Sequence, residues 1–365
     1  MSLRGSILWP FSLPYGGVAH LRARAYRKGI LKQRWLDGIV ISVGNLTVGG
    51  TGKTPMVLWL AENLAAEGKK VGILTRGYRG EPSPEGDPGK STSDEVRLLQ
   101  SRLGDRVAFG VGGDRFAKGQ ELEKQGIEWM ILDDGFQHLQ LARDADVVLL
   151  DASDPFGGGH LLPAGRLRES RTSLSRADII VITRSSHSPA VEAAVRRDSQ
   201  APIFYARMEL EAALPVPGPA NEAGANSDAS SVKADASGTR NAGDERTRKW
   251  YAFCGIGNPG AFFSDLREWG FEISGHKIFP DHHRYTRADV DAIAAAAEAS
   301  GAEGVICTEK DVFNLSGLSW RLPHPVFCRI RVCLDREEEF WRALLSAIES
   351  RRKQRAGHLP LSSRV

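Results

Sequence analysis

Short apolar runs separated by helix-periodic segments recur along most of the chain. Runs rich in β-branched residues lie at Ile39–Val43, Val71–Thr75, Val107–Phe109, Trp129–Leu132, Val147–Leu150, Ile179–Ile182 and Ile203–Tyr205. Between most of them, apolar positions repeat every three or four residues, over 55–67, 94–102, 114–125 and 189–198. Continuous apolar strands alternating with amphipathic helices predict a parallel sheet with helices on both faces. Residues 212–248 break the pattern, with Ala, Gly, Ser, Pro and Asp in place of large apolar groups. That composition buries too little surface to offset its ordering entropy and predicts a flexible linker. The pattern resumes at Trp250, with strands expected at Tyr251–Cys254, Glu272–Phe279, Val305–Cys307 and Val326–Val332 and helices at 259–269, 286–299 and 336–352. The expected organisation is an N-terminal segment 1–36, an α/β domain 37–211, the linker 212–248, a smaller α/β lobe 249–352 and a tail 353–365.

Charge changes the picture at the N-terminus. The net charge is +3, yet the first 36 residues carry seven Lys/Arg and no acid, leaving 41 basic against 45 acidic residues in the rest. An apolar, aromatic patch (Ile7, Leu8, Trp9, Phe11, Leu13, Tyr15) precedes a basic segment expected to be helical from about Val18 to Trp35. No run approaches the roughly 18 apolar residues of a membrane-spanning helix. Pro10, Pro14 and the lack of a small-residue cleavage site argue against a secretory signal. An Arg-rich, acid-free leader also suits a transit peptide, but here it runs straight into the first core strand. The segment reads as an interfacial anchor, aromatic side chains entering the headgroup region and arginines meeting anionic lipid. The alternative is a helix packed on the core with a solvated basic face. The four cysteines form no C-x-x-C pair and sit mostly in apolar runs, so buried reduced thiols are expected and neither zinc nor a disulfide framework.

Candidate chemistry begins at Ile39–Thr54, IVISVGNLTVGGTGKT. A strand, a glycine-rich turn (Thr47, Val48, Gly49, Gly50, Thr51, Gly52), then Lys53, Thr54 and a helix is the layout of a phosphate-binding loop. Glycines let backbone N–H groups approach a polyphosphate, the helix N-terminus adds partial positive charge, Lys53 reaches the β- and γ-phosphates, and the Thr54 hydroxyl can ligate magnesium. The strict G-x-x-x-x-G-K-[ST] pattern is missed only where Thr47 replaces the first glycine. The fold class expected is therefore α/β of the P-loop NTPase type, a mostly parallel sheet flanked by helices with a second smaller α/β lobe. The apolar run ending in Asp133 and Asp134 suits a strand-end carboxylate that holds magnesium directly or through water.

Other clusters are less specific. Ser93-Asp94-Glu95 opens a helix, where acids are ordinary dipole partners; alternatively Asp94 serves as base toward a substrate hydroxyl. His138 lies just behind the paired acids. Gly159–Glu169 carries Arg166 and Arg168 and suits a lid or acceptor-binding loop. In the second lobe Asp281-His282-His283-Arg284 follows a strand. Neighbours on an extended segment point to opposite sides, so one inward histidine paired with a carboxylate is favoured over a metal site. Thr308-Glu309-Lys310-Asp311 follows another strand. Gly255–Gly260 matches G-x-G-x-x-G but contains Pro259, which makes it a weak dinucleotide signature.

Taken in order, SVGNLTVGGTGKTP, TRGY, SDE, GGDR, LDDGFQH, LPAGRLRE, GIGNP, FPDHHRY and TEKD resemble the tetraacyldisaccharide 4'-kinase family of lipid A biosynthesis over nearly the whole chain apart from linker and tail. The resemblance implies ATP-dependent phosphorylation of the 4'-hydroxyl of a tetraacylated glucosamine disaccharide 1-phosphate, giving lipid IVA, by a peripheral enzyme at the cytoplasmic face of the bacterial inner membrane. It also implies that Asp94 and His282 form a base dyad and that Lys53, Thr54, Asp133 and Asp134 serve the nucleotide and Mg2+. Glu95, Arg115, His138, Arg166, Glu169 and Asp281 are further site candidates. ATP, an acylated disaccharide lipid and an anionic membrane surface are the expected partners, and no nucleic acid is. The alternatives are a membrane-recruited P-loop ATPase switch acting on a protein partner and a kinase for a soluble metabolite. Oligomeric state is not indicated.

Overall fold

The computed structural model describes residues 3–77, 93–217, 246–315, 318 and 322–358. The Pro/Gly-rich loop 80–92, most of the expected linker and the residues after 358 lie outside the described residues. The chain divides into two compact units, one formed by residues up to Met208 together with those from Val332 on, the other by Glu209–Arg331.

The first unit holds β1 (Ile39–Asn45), β2 (Val71–Thr75), β3 (Val107–Val111), β4 (Trp129–Asp133), β5 (Ala145–Asp151), β6 (Ile179–Thr183) and the first part of β7 (Ile203–Pro215), whose residues from Glu209 on belong to the second; their order is β3-β2-β4-β1-β5-β6-β7. Every neighbouring pair in that series is parallel. β1, β2, β5 and β6 are buried along almost their whole length, which is why they read as unbroken apolar runs. The flanking helices are α1 (Leu3–Arg27), α2 (Lys53–Ala66), α3 (Asp94–Leu103), α4 (Arg115–Lys124) and α5 (Pro189–Arg196). Gly44 in β1 is required by a close approach: a Cβ there would lie 2.6 Å from Phe136 Cβ. Gly135, whose N–H donates to Val43 O at 3.1 Å, would likewise press a Cβ to 2.7 Å from Leu132 Cγ. The loop after β4 is thereby seated on β1.

The second unit contains β8 (Lys249–Cys254), β9 (Glu272–Ile278), β10 (Gly304–Thr308) and β11 (Pro325–Leu334) in the order β11-β10-β8-β9, again with parallel pairs. It also contains α6 (Pro259–Glu268), α7 (Arg287–Ala299) and α8 (Glu309–Leu315). Its core gathers Tyr251, Phe253, Val290, Ile293 and Val305, with Trp250, Phe262 and Leu266 in a second cluster. Cys254, Cys307 and Cys328 are buried free thiols and Cys333 is partly buried.

Four expectations need correction. Helix α1 starts far earlier than Val18, runs through Pro10 and Pro14, and stops at Arg27 instead of Trp35. Each proline forgoes one backbone hydrogen bond, but between them the Ser12 hydroxyl donates to Leu161 O at 2.9 Å and pins that turn. Gly29, at φ 71°, ends the helix as a left-handed residue. Strand β7 continues to Pro215, four residues into the expected linker, and Val216 N still donates to Pro325 O. A helix, α8, occupies Glu309–Leu315, where none was expected. The last helix, α9 (Glu337–His358), belongs to the first unit. Its Phe340 is fully buried 5.4 Å from the Trp59 ring and 5.5 Å from Phe204, and Trp341 stacks on Trp59 at 5.3 Å. Those aromatic contacts bridge more than a hundred positions in sequence and leave no local trace.

Candidate active site

Parallel strands place all their C-terminal ends along one sheet edge, where ligands of such sheets bind. The loop after β1 opens there. Gly49 and Gly52 take positive φ values of 118° and 84°, and a Cβ on Gly52 would sit 2.6 Å from Met208 Cε. Asn45 Nδ2 donates to Thr51 Oγ1 at 2.8 Å, and Thr183 Oγ1 donates to Thr51 O at 3.1 Å, so β1 and β6 hold the turn from both sides. Thr47 and Thr51 are buried, and Gly50 is exposed. Helix α2 begins at Lys53 with Gly52 as its cap and no side chain bonded to its first N–H groups. Such uncapped N–H groups form a ready anion site. Thr54 follows, partly buried.

Beside this loop, β4 ends in register with β1, Val43 opposite Asp133. Asp133 is 7 % exposed and accepts from Thr75 Oγ1, at the end of β2, at 3.2 Å. Burial, and the negative charges of Glu95 and Asp134, push its carboxyl up to about 7 against the pull of Lys53 and Thr75. Asp134 adopts a left-handed φ of 50° that turns it toward the loop. Its Oδ1 lies 3.6 Å from Lys53 Nζ and its Oδ2 accepts from Arg168 at 2.6 Å. Burial opposes ionisation of Asp134, but those two cations outweigh it and hold the carboxyl below its usual range. Asp134 Oδ1 and Asn45 Oδ1 are buried without a hydrogen-bond donor. Among the described residues no three or more His, Cys, Asp or Glu side chains cluster around a cation position. A divalent cation would therefore lean on Asp133 or Asp134, the Thr54 hydroxyl and the nucleotide's own oxygens, a mode that suits magnesium. Asp134 Oδ1, buried and met by Lys53 at 3.6 Å without a hydrogen bond, fits that need.

Further candidates reach this edge to different degrees. Asp94, 9 % exposed, is the first residue of α3 behind the Ser93 cap, and its Oδ1 accepts from Glu95 N at 2.9 Å. Arg115 is buried and feels both Asp133 and Asp134; burial first, then Arg76, lowers the pKa of its guanidinium. His138 lines a different cavity, of about 330 Å³, with Tyr26, Lys32, Arg34, Asp114 and Phe116. Burial, aided by Arg115, Arg143 and Arg22, pushes its imidazole down to about 4, which leaves it neutral at pH 7.

The loop expected to be a lid or an acceptor-binding loop is stitched down in this structure. Val48 N donates to Arg166 O at 2.8 Å, Arg168 N donates to Leu46 O at 2.7 Å, and Leu167 pairs antiparallel with Thr47. Arg166 is ion-paired with Asp154, and Glu169 with Arg176 and the Ser173 hydroxyl, so neither points its charge at Asp134. Arg168 does. Its place in the sequence marks it only as part of a cationic loop, and nothing local indicates that it bonds a carboxylate 34 positions away. Thr75, the residue that orients Asp133, was missed for the same reason.

In the second unit, His283 is engaged by its surroundings: Nε2 lies 3.1 Å from Asp289 Oδ2 and the ring stacks on Phe279 at 4.7 Å. His282 has a left-handed φ of 60°, and its Nε2 lies 3.8 Å from Asp281 Oδ2. The dinucleotide-like Gly255–Gly260 segment is a helix start, with Asn258 capping α6 through Ala261 N and Pro259 in the first turn.

Residues 4–349 match the family model described as tetraacyldisaccharide-1-P 4'-kinase. A tetraacyldisaccharide 4'-kinase of Desulfotalea psychrophila is 35% identical over 334 residues, covering 87% of this chain and 90% of that protein. One from Geobacter metallireducens is 38% identical over 338 residues, with 87% and 90% covered. A crystal structure of LpxK from Aquifex aeolicus in complex with ATP superposes with a TM-score of 0.67 at 29% identity, covering 94% of this chain and 99% of that one. These likenesses favour a kinase over an ATPase switch. With its phosphate loop, strand-end acids and fold in agreement, the chain belongs to the tetraacyldisaccharide-1-P 4'-kinase family.

Proposed function

We infer that this protein transfers the γ-phosphoryl group of ATP to the 4'-hydroxyl of a tetraacylated glucosamine disaccharide 1-phosphate, giving lipid IVA. The observation that carries the reading is the family match over residues 4–349, together with a glycine-rich loop whose Lys53 faces the strand-end Asp134. Thr47–Thr54 wrap the triphosphate, and Lys53 moves from Asp134 onto the β- and γ-phosphates. Thr54 and Asp133 or Asp134 would hold Mg2+, which would supply charge neutralisation for the transferring group. Arg168, which rests on Asp134, and the buried Arg115 stabilise the equatorial oxygens of a loose phosphoryl transition state.

The acceptor hydroxyl loses its proton late in such a reaction, so positioning outweighs basicity and a carboxylate suffices as base. Asp94 takes that proton, and His282 supports the removal. Glu95, whose charge acts on Asp133, tunes the strand-end acids, and Arg166 and Glu169, paired with Asp154 and Arg176, hold the loop that carries Arg168.

The acceptor is a lipid, so it must be met at an interface. Phe11, Leu13, Val18 and Leu21 are more than 60 % exposed, while Ser12 and Gly16 on the same helix face Leu161. Among the described residues no helix is long and apolar enough to cross a membrane. Helix α1 accordingly lies in the surface of an anionic membrane, the cytoplasmic face of the inner membrane, as a peripheral anchor. The test is transfer of label from γ-labelled ATP to a tetraacyl disaccharide 1-phosphate in micelles containing magnesium. Labelled lipid is expected; free phosphate with no labelled lipid would overturn the reading.

A further inference from the structure

Asp311 is the least exposed carboxylate recorded in the second unit, at 0 %. Burying a carboxylate is costly unless donors surround it, and four do. One oxygen accepts from Gly255 N at 2.8 Å and from Tyr285 Oη at 2.8 Å. The other accepts from Thr308 Oγ1 at 2.6 Å and from Thr308 N at 3.1 Å. Those donors come from three separate segments: the turn after β8, the loop after β9 and the end of β10. A carboxylate has room for all four donors; an amide offers one acceptor oxygen and brings two donors of its own. An apolar residue could fill this space, so the acid is there for what it ties together.

What it ties together flanks His282. Gly255 donates to Asp311 through its N–H and, through its carbonyl, accepts from His282 N at 3.0 Å. A Cβ on Gly255 would come within 3.1 Å of both Pro280 O and His283 Cβ, so the His282 turn lies directly on this glycine. On the far side Tyr285, 5 % exposed, is fixed by its hydroxyl and packs edge-on against Phe253, Phe279 and His283. His282 itself holds a left-handed φ of 60°, a conformation uncommon for a non-glycine residue.

We propose that Asp311 is a positioning residue for His282, its carboxylate fixing the Gly255 turn and the Tyr285 side chain between which the His282 loop is strung. The proposal rests on the reading of His282 as a partner in removing the acceptor proton. Displacement of a group that orients a reacting centre by about 1 Å costs up to ~100-fold in rate, so loss of a single support should be smaller and confined to turnover.

The test is a cycle of full-length variants assayed for kcat and for ATP KM. Asp311→Asn replaces one acceptor oxygen with an N–H donor and serves as the severe case, with its folding followed by thermal melting. Tyr285→Phe removes one donor and keeps the packing. Tyr285→Phe is expected to lower kcat about tenfold with ATP KM unchanged, and to have no further effect in a His282→Ala background. An equal loss in both backgrounds, or a loss that appears only in KM, would overturn the positioning role. Full activity of His282→Ala alone would instead remove the underlying reading of His282, and the single variant reports that independently of the cycle.

Discussion

Lys53 Nζ lies 3.6 Å from Asp134 Oδ1, so the lysine of the phosphate loop rests on the strand-end acid. The same acid is gripped from the other side by Arg168 at 2.6 Å. Two cations on one carboxylate keep it ionised and keep the lysine within a short swing of a polyphosphate.

Removing the lysine should therefore weaken the nucleotide complex and leave the fold alone. A charge-assisted contact contributes about 1.5–3 kcal/mol, so Lys53→Ala is expected to raise ATP KM by roughly 10- to 100-fold. Asp94→Ala should instead lower kcat by about 10²–10⁴ with little change in ATP KM. Steady-state kinetics on both variants separate the roles. An equal loss of ATP binding in the two would sink the base assignment.

Gly44 should tolerate no side chain. Its Cβ would overlap Phe136 at 2.6 Å within a buried strand, and overpacking of this kind costs about 1–3 kcal/mol. Gly44→Ala should melt several degrees lower, whereas Gly260→Ala, with nothing within 4 Å of the new methyl, should not. Calorimetry of the pair checks this, and equal melting temperatures would contradict it.

The anchor has two separable parts. Serine at Phe11, Leu13, Val18 and Leu21 should weaken binding to neutral and anionic vesicles alike. Serine at Arg22, Arg24, Arg27 and Lys28 should weaken only binding to anionic vesicles, most strongly in low salt, by about 1 kcal/mol for each cation near the surface. Vesicle co-sedimentation distinguishes them, and wild-type binding in both sets would exclude α1 as the anchor.

His138 predicts an acid-side loss of stability. Its folded imidazole titrates at about 4, against about 6.5 in an unfolded chain. Below about pH 6.5 the unfolded state takes up a proton that the folded state refuses until about pH 4, so stability falls as pH falls through that window. His138→Gln should flatten this part of the stability profile. Parallel denaturation curves for the two proteins between pH 7 and pH 4 would show that His138 does not contribute.

The extent to which this protein is legible in one dimension follows the range of its interactions. β1, the glycine turn and the start of α2 are contiguous, so strand, loop and Lys53 could be read directly from Ile39–Thr54. Asp133 and Asp134 were equally visible, since a run of apolar residues ending in two acids is a local pattern. Apart from β7, which runs ten residues past its expected end, the strands lie within about two residues of the apolar runs that mark them, because burial on both faces demands such runs. The helix through Pro10 and Pro14 was not, because its anchor is the contact of Ser12 with Leu161.

Sequence by itself therefore determined the α/β class, the phosphate loop, the paired acids and the family. Only the tertiary structure decided which charges meet: Arg168 on Asp134, Arg166 on Asp154, Glu169 on Arg176. It likewise decided that Asp289 engages His283, that Asp311 braces Gly255 and Tyr285, and that α9 packs by Phe340 and Trp341 against Trp59. Backbone geometry and hydrophobic periodicity are properties of neighbours in the chain. The partner of a charged or aromatic side chain is set by which distant segments the fold brings within a few ångströms, and no spacing along the chain encodes that.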